Sequence, residues 1–297
     1  MHRHPEGTKR MEDIIVMPVR MIIDSSTDLP PELRNQVTVI PLSIHFDGED
    51  YLDGVTIDHK MFYEKLVQCK SLPSTSQAGP FVFEKAFREA VDNGDTVVAV
   101  TISSKLSGTY QSAAIAAAEF PGKVFVVDSR SVTIGAAVLV QYGLELMKRG
   151  MDAESIAEEL MQKRDQVHML AILDTLDYLK KGGRISSAAA LAGSLLNIKP
   201  VVCIENGEIK MLGKARGAKQ ASQLLVQEVA KAGSIDFGKP VLLGYTGLST
   251  ALLEKFTADI AALWSDHHTP ASTVVGSVVG THAGPGAVAI AFFSAGK

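Results

Sequence analysis

The segment Ser107-Gly108-Thr109-Tyr110-Gln111-Ser112-Ala113 follows a nearly continuous apolar run, residues 96–102, and opens an alanine-rich stretch of helical character. A hydroxyl and a glycine at a strand-to-helix junction suit the holding of an anion. The first N–H groups of a helix have no partner within it and carry the positive end of its dipole. Gly108 removes a side chain that would hold a ligand oxygen away from the backbone, and Ser107 adds a hydroxyl donor. The same residues also fit a plain helix cap, because Ser and Thr are favoured there. Thr75-Ser76-Gln77 poses the same choice, lying in a polar loop, residues 73–80, just ahead of another helix. Taken as a pair, the two hydroxyl-bearing loops can converge on one carboxylate.

Thr281-His282-Ala283-Gly284-Pro285-Gly286 places an imidazole beside a backbone stripped of side chains, an arrangement suited to the polar head of a ligand. Gly284, Gly286 and Ala289 match the spacing of a dinucleotide fingerprint, but too little chain follows to complete its βαβ unit. Lys180-Lys181-Gly182-Gly183-Arg184 reads as a helix end, with cations on the negative end of the dipole and a glycine stop. Arg184, beyond the glycines, is the residue that reading leaves over. His45, His59, His168, His267 and His268 are read as structural. No nucleophile elbow, phosphate loop or zinc-protease helix is written in the chain. Ser107 with His282 remains half of a nucleophilic dyad, with Asp24 or Asp128 as its orienting acid.

The elements that must carry these residues follow from hydrophobic patterning. Short β-favouring runs at 19–23, 37–44, 96–102 and 124–127 alternate with helical stretches at 61–67, 81–91, 109–119 and 135–149, the rhythm of a parallel sheet. Pro80 suits the first turn of its helix. After about residue 165 a helical stretch is expected through Leu179. Asn206-Gly207 between 201–205 and 208–212 is a hairpin signal. Strands at 241–245 and 273–279 are separated by a helix over 249–263. The fold class expected is α/β: an N-terminal parallel-sheet domain at 19–165 and a C-terminal mixed domain at 166–297, with the ligand in the cleft between them. Residues 1–18 read as an extension or tag, expected to be disordered.

The chain has 297 residues, 46% hydrophobic and 21% charged, with a formal net charge of −4. That length favours two domains and that balance a globular protein. The charge and the lack of a basic, aromatic-studded stripe argue against nucleic acid as a partner. Cys69 and Cys203 have no metal or redox spacing and read as reduced thiols. The most apolar stretch, 132–140, falls short of the roughly 20 residues of a membrane span. A cytoplasmic setting, with no metal and no cofactor, is the expectation.

Ile23-Asp24-Ser25-Ser26-Thr27-Asp28-Leu29-Pro30, Thr75-Ser76-Gln77, Ser107-Gly108-Thr109, Gly182-Gly183-Arg184-Ile185 and His282-Ala283-Gly284-Pro285-Gly286 together resemble the DegV family in order and spacing. Such proteins are similar to the fatty-acid-binding subunit of bacterial fatty acid kinase, a system of phospholipid metabolism in which a separate ATP-binding subunit phosphorylates the carboxylate. The resemblance implies a long-chain fatty acid in a tunnel between the domains. It implies that Thr75 and Ser107, with Gly108, bind the carboxylate, that His282 lies beside it, and that Arg184 supports phosphoryl transfer near the head group. It implies a lipid-binding carrier, with catalysis left to the partner kinase. The rival readings are a Ser/His hydrolase of acyl esters and a lipid-free adaptor of other proteins.

Overall fold

The computed structural model describes residues 17–185 and 197–295, so the expected extension over 1–18 lies outside the described residues except for Met17 and Pro18. The first half runs β1 (Val19–Asp24), β2 (Thr38–Ile40), β3 (Ser43–Phe46), β4 (Glu49–Leu52), α1 (His59–Gln68), β5 (Ser74–Ser76), α2 (Pro80–Asp92), β6 (Thr96–Thr101), α3 (Thr109–Ala117), β7 (Val124–Asp128), α4 (Thr133–Lys148) and α5 (Ala153–Lys163). The second runs β8 (Val167–Ile172), α6 (Asp177–Lys181), β9 (Ile198–Glu205), β10 (Glu208–Arg216), α7 (Gly217–Ala232), β11 (Val241–Tyr245), α8 (Ala251–Asp259), β12 (Ala271–Val274), α9 (Ser277–Ala283) and β13 (Val288–Phe293).

Strands of the first half form a parallel sheet in the order β2-β1-β6-β7. Every residue of β6 is buried, as expected of a strand covered on both faces. Successive residues alternate between two cores: Val97 and Ala99 meet Phe83 and Phe87 of α2, while Val98 and Val100 meet α4 and α5. Winding reverses at β1, with β2 on one side and β6 on the other. The loops after β1 and β6 therefore flank the crevice where open α/β sheets hold ligands.

The second sheet is mixed, in the order β10-β9-β8-β13-β11-β12, and antiparallel except for β11 with β12. Asn206 and Gly207 turn the β9–β10 hairpin with φ of 52° and 82°, the left-handed pair that such a turn requires. Its tip touches the first half, where Ser103 Oγ donates to Gly207 O at 2.7 Å. Between the sheets lies α4, buried on nearly every side, which is why its sequence is apolar all round. Tyr142 of α4 packs edge-on against Phe293 of β13, with ring centroids 5.5 Å apart. The result is a two-domain α/β fold with a shared wall.

Four expectations need correction. Residues 37–44 are not one strand: the chain breaks at Pro41, β2 joins the parallel sheet, and β3 pairs instead with β4 and β5. The loop at 73–80 contains β5, whose Thr75 lies opposite Ile44. The stretch before Leu179 opens as strand β8, held between β9 and β13, and its helix is only α6. Residues 273–279 are strand only to Val274; after Gly276 they turn into α9. His282 is therefore carried at the end of a helix.

Candidate functional site

A cavity of about 370 Å³ lies between the parallel sheet's C-terminal edge and the inner face of the mixed sheet, within the size range of small-molecule sites. Period-two alternation turns Met169 and Ala171 of β8 and Val202 and Ile204 of β9 into it. Val278 and Val279 of α9 close it from one side, and Ile102, Leu106 and Val132 from the other. Such a wall binds by excluding water.

Polar groups gather where this lining is interrupted, and Thr75, Ser107, Gly108, Arg184 and His282 all border the cavity. They come from four separate segments of chain. Thr75 Oγ1 and His282 Nε2 lie 2.9 Å apart. His282 Nδ1 is buried and has no hydrogen-bond partner among the described residues. Burial first, and then the Arg184 charge, lower the imidazole pKa to about 4, so the ring is neutral at pH 7. An unpaired lone pair is cheaper to bury than an unpaired N–H. That places the proton on Nε2, where it donates to Thr75 Oγ1 and leaves the threonine hydroxyl hydrogen free to donate onward. Ser107 Oγ lies 2.9 Å from Thr109 Oγ1 and accepts from Thr109 N–H at 3.3 Å. With Thr109 as donor, its own hydrogen is free in the same way.

Gly108 precedes the first turn of α3, yet the space beside it is not open. A Cβ there would fall 2.0 Å from Gln77 Oε1, and Gln77 Nε2 donates to Ser112 Oγ at 3.1 Å. The missing side chain makes room for an amide that ties the β5 loop to α3, while the backbone N–H remains at the helix end. Gly183 adopts φ of 69° after α6, so the glycine stop is real. Arg184 folds back from it, donating from Nε to Leu106 O at 3.2 Å and from Nη1 to Gly182 O.

The placement of α9 depends on three close approaches. A Cβ on Gly280 would meet Tyr63 Oη at 2.6 Å, one on Gly182 would meet His282 Nδ1 at 2.2 Å, and one on Gly284 would meet the Tyr178 ring at 2.4 Å. At its other end Gly276 N–H donates to Asp28 Oδ1 at 2.8 Å, and Thr133 Oγ1 donates to Asp28 Oδ2. Thr133 holds φ of 47° there, a strained conformation for a β-branched residue. The contact between Asp28 and Gly276 joins residues 248 positions apart and left no local signal in the sequence.

Burial raises the Asp28 carboxyl to about 7, against hydrogen bonds from Thr133 and Gly276 that pull it down. The folded chain thus keeps a proton between about pH 4 and 7 that the unfolded chain releases, so its stability falls as pH rises through that interval. Replacing Asp28 by Asn is expected to remove about 2 kcal/mol of this loss between pH 5 and 7. Urea midpoints of parent and variant at both pH values provide the check. Parallel pH dependences in the two proteins would show that Asp28 is ionised throughout.

A hydrolytic triad is not assembled. Ser107 is bonded to Thr109 and His282 to Thr75. Asp24 accepts from Ser26 and from Ile102 N–H, and Asp128 from Ser104 and Arg130. Among the described residues no three His, Cys, Asp or Glu are grouped to hold a metal, and no helix is long and apolar enough to cross a membrane.

Two sheets thus enclose an apolar cavity bordered by the hydroxyl-bearing Thr75 and Ser107, a lining suited to an amphipathic small molecule. Over residues 18–295 the chain matches the family model described as uncharacterised protein, DegV family, and it belongs to that family. A DegV domain-containing protein of Deinococcus radiodurans is 38% identical over 279 residues, which span 93% of this chain and 98% of the other. Among solved structures, a DegV family protein from Thermus thermophilus, described by its fatty acid binding, superposes with a TM-score of 0.84 at 33% identity, covering 94% of this chain and all of that one. A stearic acid-binding protein from Eubacterium ventriosum gives 0.81 at 29%, covering 93% and 98%.

Proposed function

We propose that this chain binds a long-chain fatty acid, with its tail in the cavity and its carboxylate at Thr75, Ser107 and the Gly108 N–H, and that it presents this carboxylate to a separate ATP-dependent kinase subunit for acyl-phosphate formation. The observation that carries the reading is the pairing of one enclosed apolar volume with two hydroxyls whose hydrogens are left free by His282 and Thr109. Each buried methylene contributes about 0.8 kcal/mol, so the tail supplies most of the affinity. The head sets direction, since a charged hydrogen bond nets about 1.5–3 kcal/mol. Relatives whose described function is fatty acid binding support the ligand class. The kinase partner and a cytoplasmic place in phospholipid metabolism rest on the family resemblance.

Native mass spectrometry of protein purified from a bacterial host tests the ligand. A retained long-chain acid is the expected result. A lipid-free mass, together with no uptake of added palmitic or stearic acid, would overturn the proposal. Arg184 tests the transfer step. Its guanidinium, tethered at the rim by Leu106 and Gly182, matters most when phosphate brings negative charge to the head group. Arg184→Ala is expected to leave fatty acid affinity within about threefold, while acyl-phosphate formation with an ATP-binding partner falls on the order of a hundredfold. Lysine is expected to restore it in part, having charge but no planar fork. Undiminished phosphorylation in Arg184→Ala would remove Arg184 from the mechanism.

A further inference from the structure

Strands β8 and β9 pair only at Leu170↔Cys203, Ala171↔Val202 and Ile172↔Val201, although β8 begins at Val167 and β9 continues to Glu205. Where the pairing stops, a second cavity of about 300 Å³ opens between the two strands and reaches Glu228, Lys231 and Ala232 at the end of α7. Its lining is of two kinds. Leu170, Leu212 and Ala232 are apolar, whereas Arg130, Arg164, Asp165, Glu205, Glu228 and Lys231 bring three positive and three negative charges. Four of those charges cancel in place: Arg130 is paired with Asp165 at 3.0 Å and Lys231 with Glu228 at 2.6 Å. His168 is neutral at pH 7, because burial pulls its pKa down. The Cys203 thiol, pushed up to about 11 mainly by burial, stays protonated.

One cation and one anion are left over. Among the described residues Arg164 has no carboxylate, and Glu205 no cationic side chain, within ion-pair distance. Arg164 Nη1 donates to Asp128 O at 2.8 Å, while its Nε is buried without a partner among the described residues. A buried charged donor left unmatched is costly, and a planar guanidinium suits a carboxylate. We infer that this second cavity binds a small amino carboxylate zwitterion, its carboxylate at Arg164, its ammonium at Glu205 and its hydrocarbon body against Leu170, Leu212 and Ala232. A purely anionic ligand would meet Glu205 uncompensated, and a purely cationic one Arg164, so charge complementarity selects a ligand of both signs. A volume at the lower end of small-molecule sites holds it to metabolite size. None of these five residues borders the first cavity, so the inference stands whatever that cavity holds.

The test titrates two zwitterions into parent, Arg164→Gln and Glu205→Gln by calorimetry: L-leucine, whose charges are adjacent, and ε-aminocaproic acid, whose charges lie at opposite ends. At least one is expected to bind the parent with Kd below about 1 mM, and which one reports the spacing of the two charges. Acetylating its amine or amidating its carboxylate is expected to weaken binding roughly tenfold or more. Arg164→Gln is expected to weaken the zwitterion by a similar factor and to abolish the preference for carboxylate over amide. Glu205→Gln is expected to abolish the preference for the free amine over its acetylated form. A merely structural Arg164 would move neither preference. Circular dichroism establishes that each variant is folded, and Glu205→Gln, at an exposed residue, decides the matter if Arg164→Gln is not. A parent that binds neither zwitterion, or binds the capped forms equally well, overturns the site.

Discussion

Gly284→Ala is expected to lower the unfolding free energy by about 3 kcal/mol or more, from two causes that add. Gly284 has φ of 70° and ψ of 175°, a region almost closed to any residue with a Cβ, where occupancy costs about 1–3 kcal/mol. The new methyl would also fall 2.4 Å from Cδ2 and 2.5 Å from Cε2 of Tyr178. An aromatic ring cannot yield as a flexible chain end does, and overpacking costs about 1–3 kcal/mol more. The helix that carries His282 would be forced off α6, so retention of fatty acid should fall with stability. Gly286→Ala is the matched control: its φ is 82°, but the nearest atom to an added Cβ is Asp174 Cβ at 3.6 Å. Denaturant midpoints of the two variants separate backbone strain from the clash. Equal losses would mean that the contact of Tyr178 with Gly284 does not fix the helix.

Ser107→Ala and Thr75→Val should each weaken fatty acid binding by about 1.5–3 kcal/mol, roughly ten- to a hundredfold, because each removes a donor to a charged oxygen. The Thr75 change has a second effect. Valine also deprives His282 Nε2 of its partner at 2.9 Å, so this variant is expected to be the weaker binder of the two. Thr75→Ser keeps the hydroxyl and should bind within about threefold of the parent. Competition with a fluorescent fatty acid measures all three. Parent-like affinity in Ser107→Ala would leave that hydroxyl as nothing more than a helix cap.

Legibility in the sequence followed the range of the interaction that decides each element. Asn206-Gly207 specifies its hairpin within four residues, and the alternation of strand and helix from Val19 to Lys148 announces a parallel sheet. Both were readable. Residues 273–279 were not, because an apolar run this short is compatible with strand or helix, and the choice is made by Phe62, Tyr63 and Asp28 far away in sequence. Thr75 reads as loop because β5 exists only by pairing with β3. The head-group residues were marked by type, as hydroxyls and glycines at helix starts, but the donor directions set by His282 and Thr109 needed coordinates in space. Gly108 shows the difference: its type was informative, whereas its reason, the amide of Gln77, lies in another segment.

The 2.9 Å contact between Thr75 and His282 joins residues 207 positions apart, and it imposes an order on biosynthesis. A ribosome adding about 5–20 residues per second needs on the order of ten to forty seconds to travel from one to the other. Once β7 is complete at Asp128 the parallel sheet can form while α9 is still unmade, and the apolar lining at Ile102, Leu106 and Val132 then lacks its helix and a mixed sheet completed by β13. A nascent chain at this stage offers a sticky, open half-pocket to chaperones, and its head-group site lacks the histidine. On the fatty acid reading, a complete head-group site therefore waits until α9 has been made.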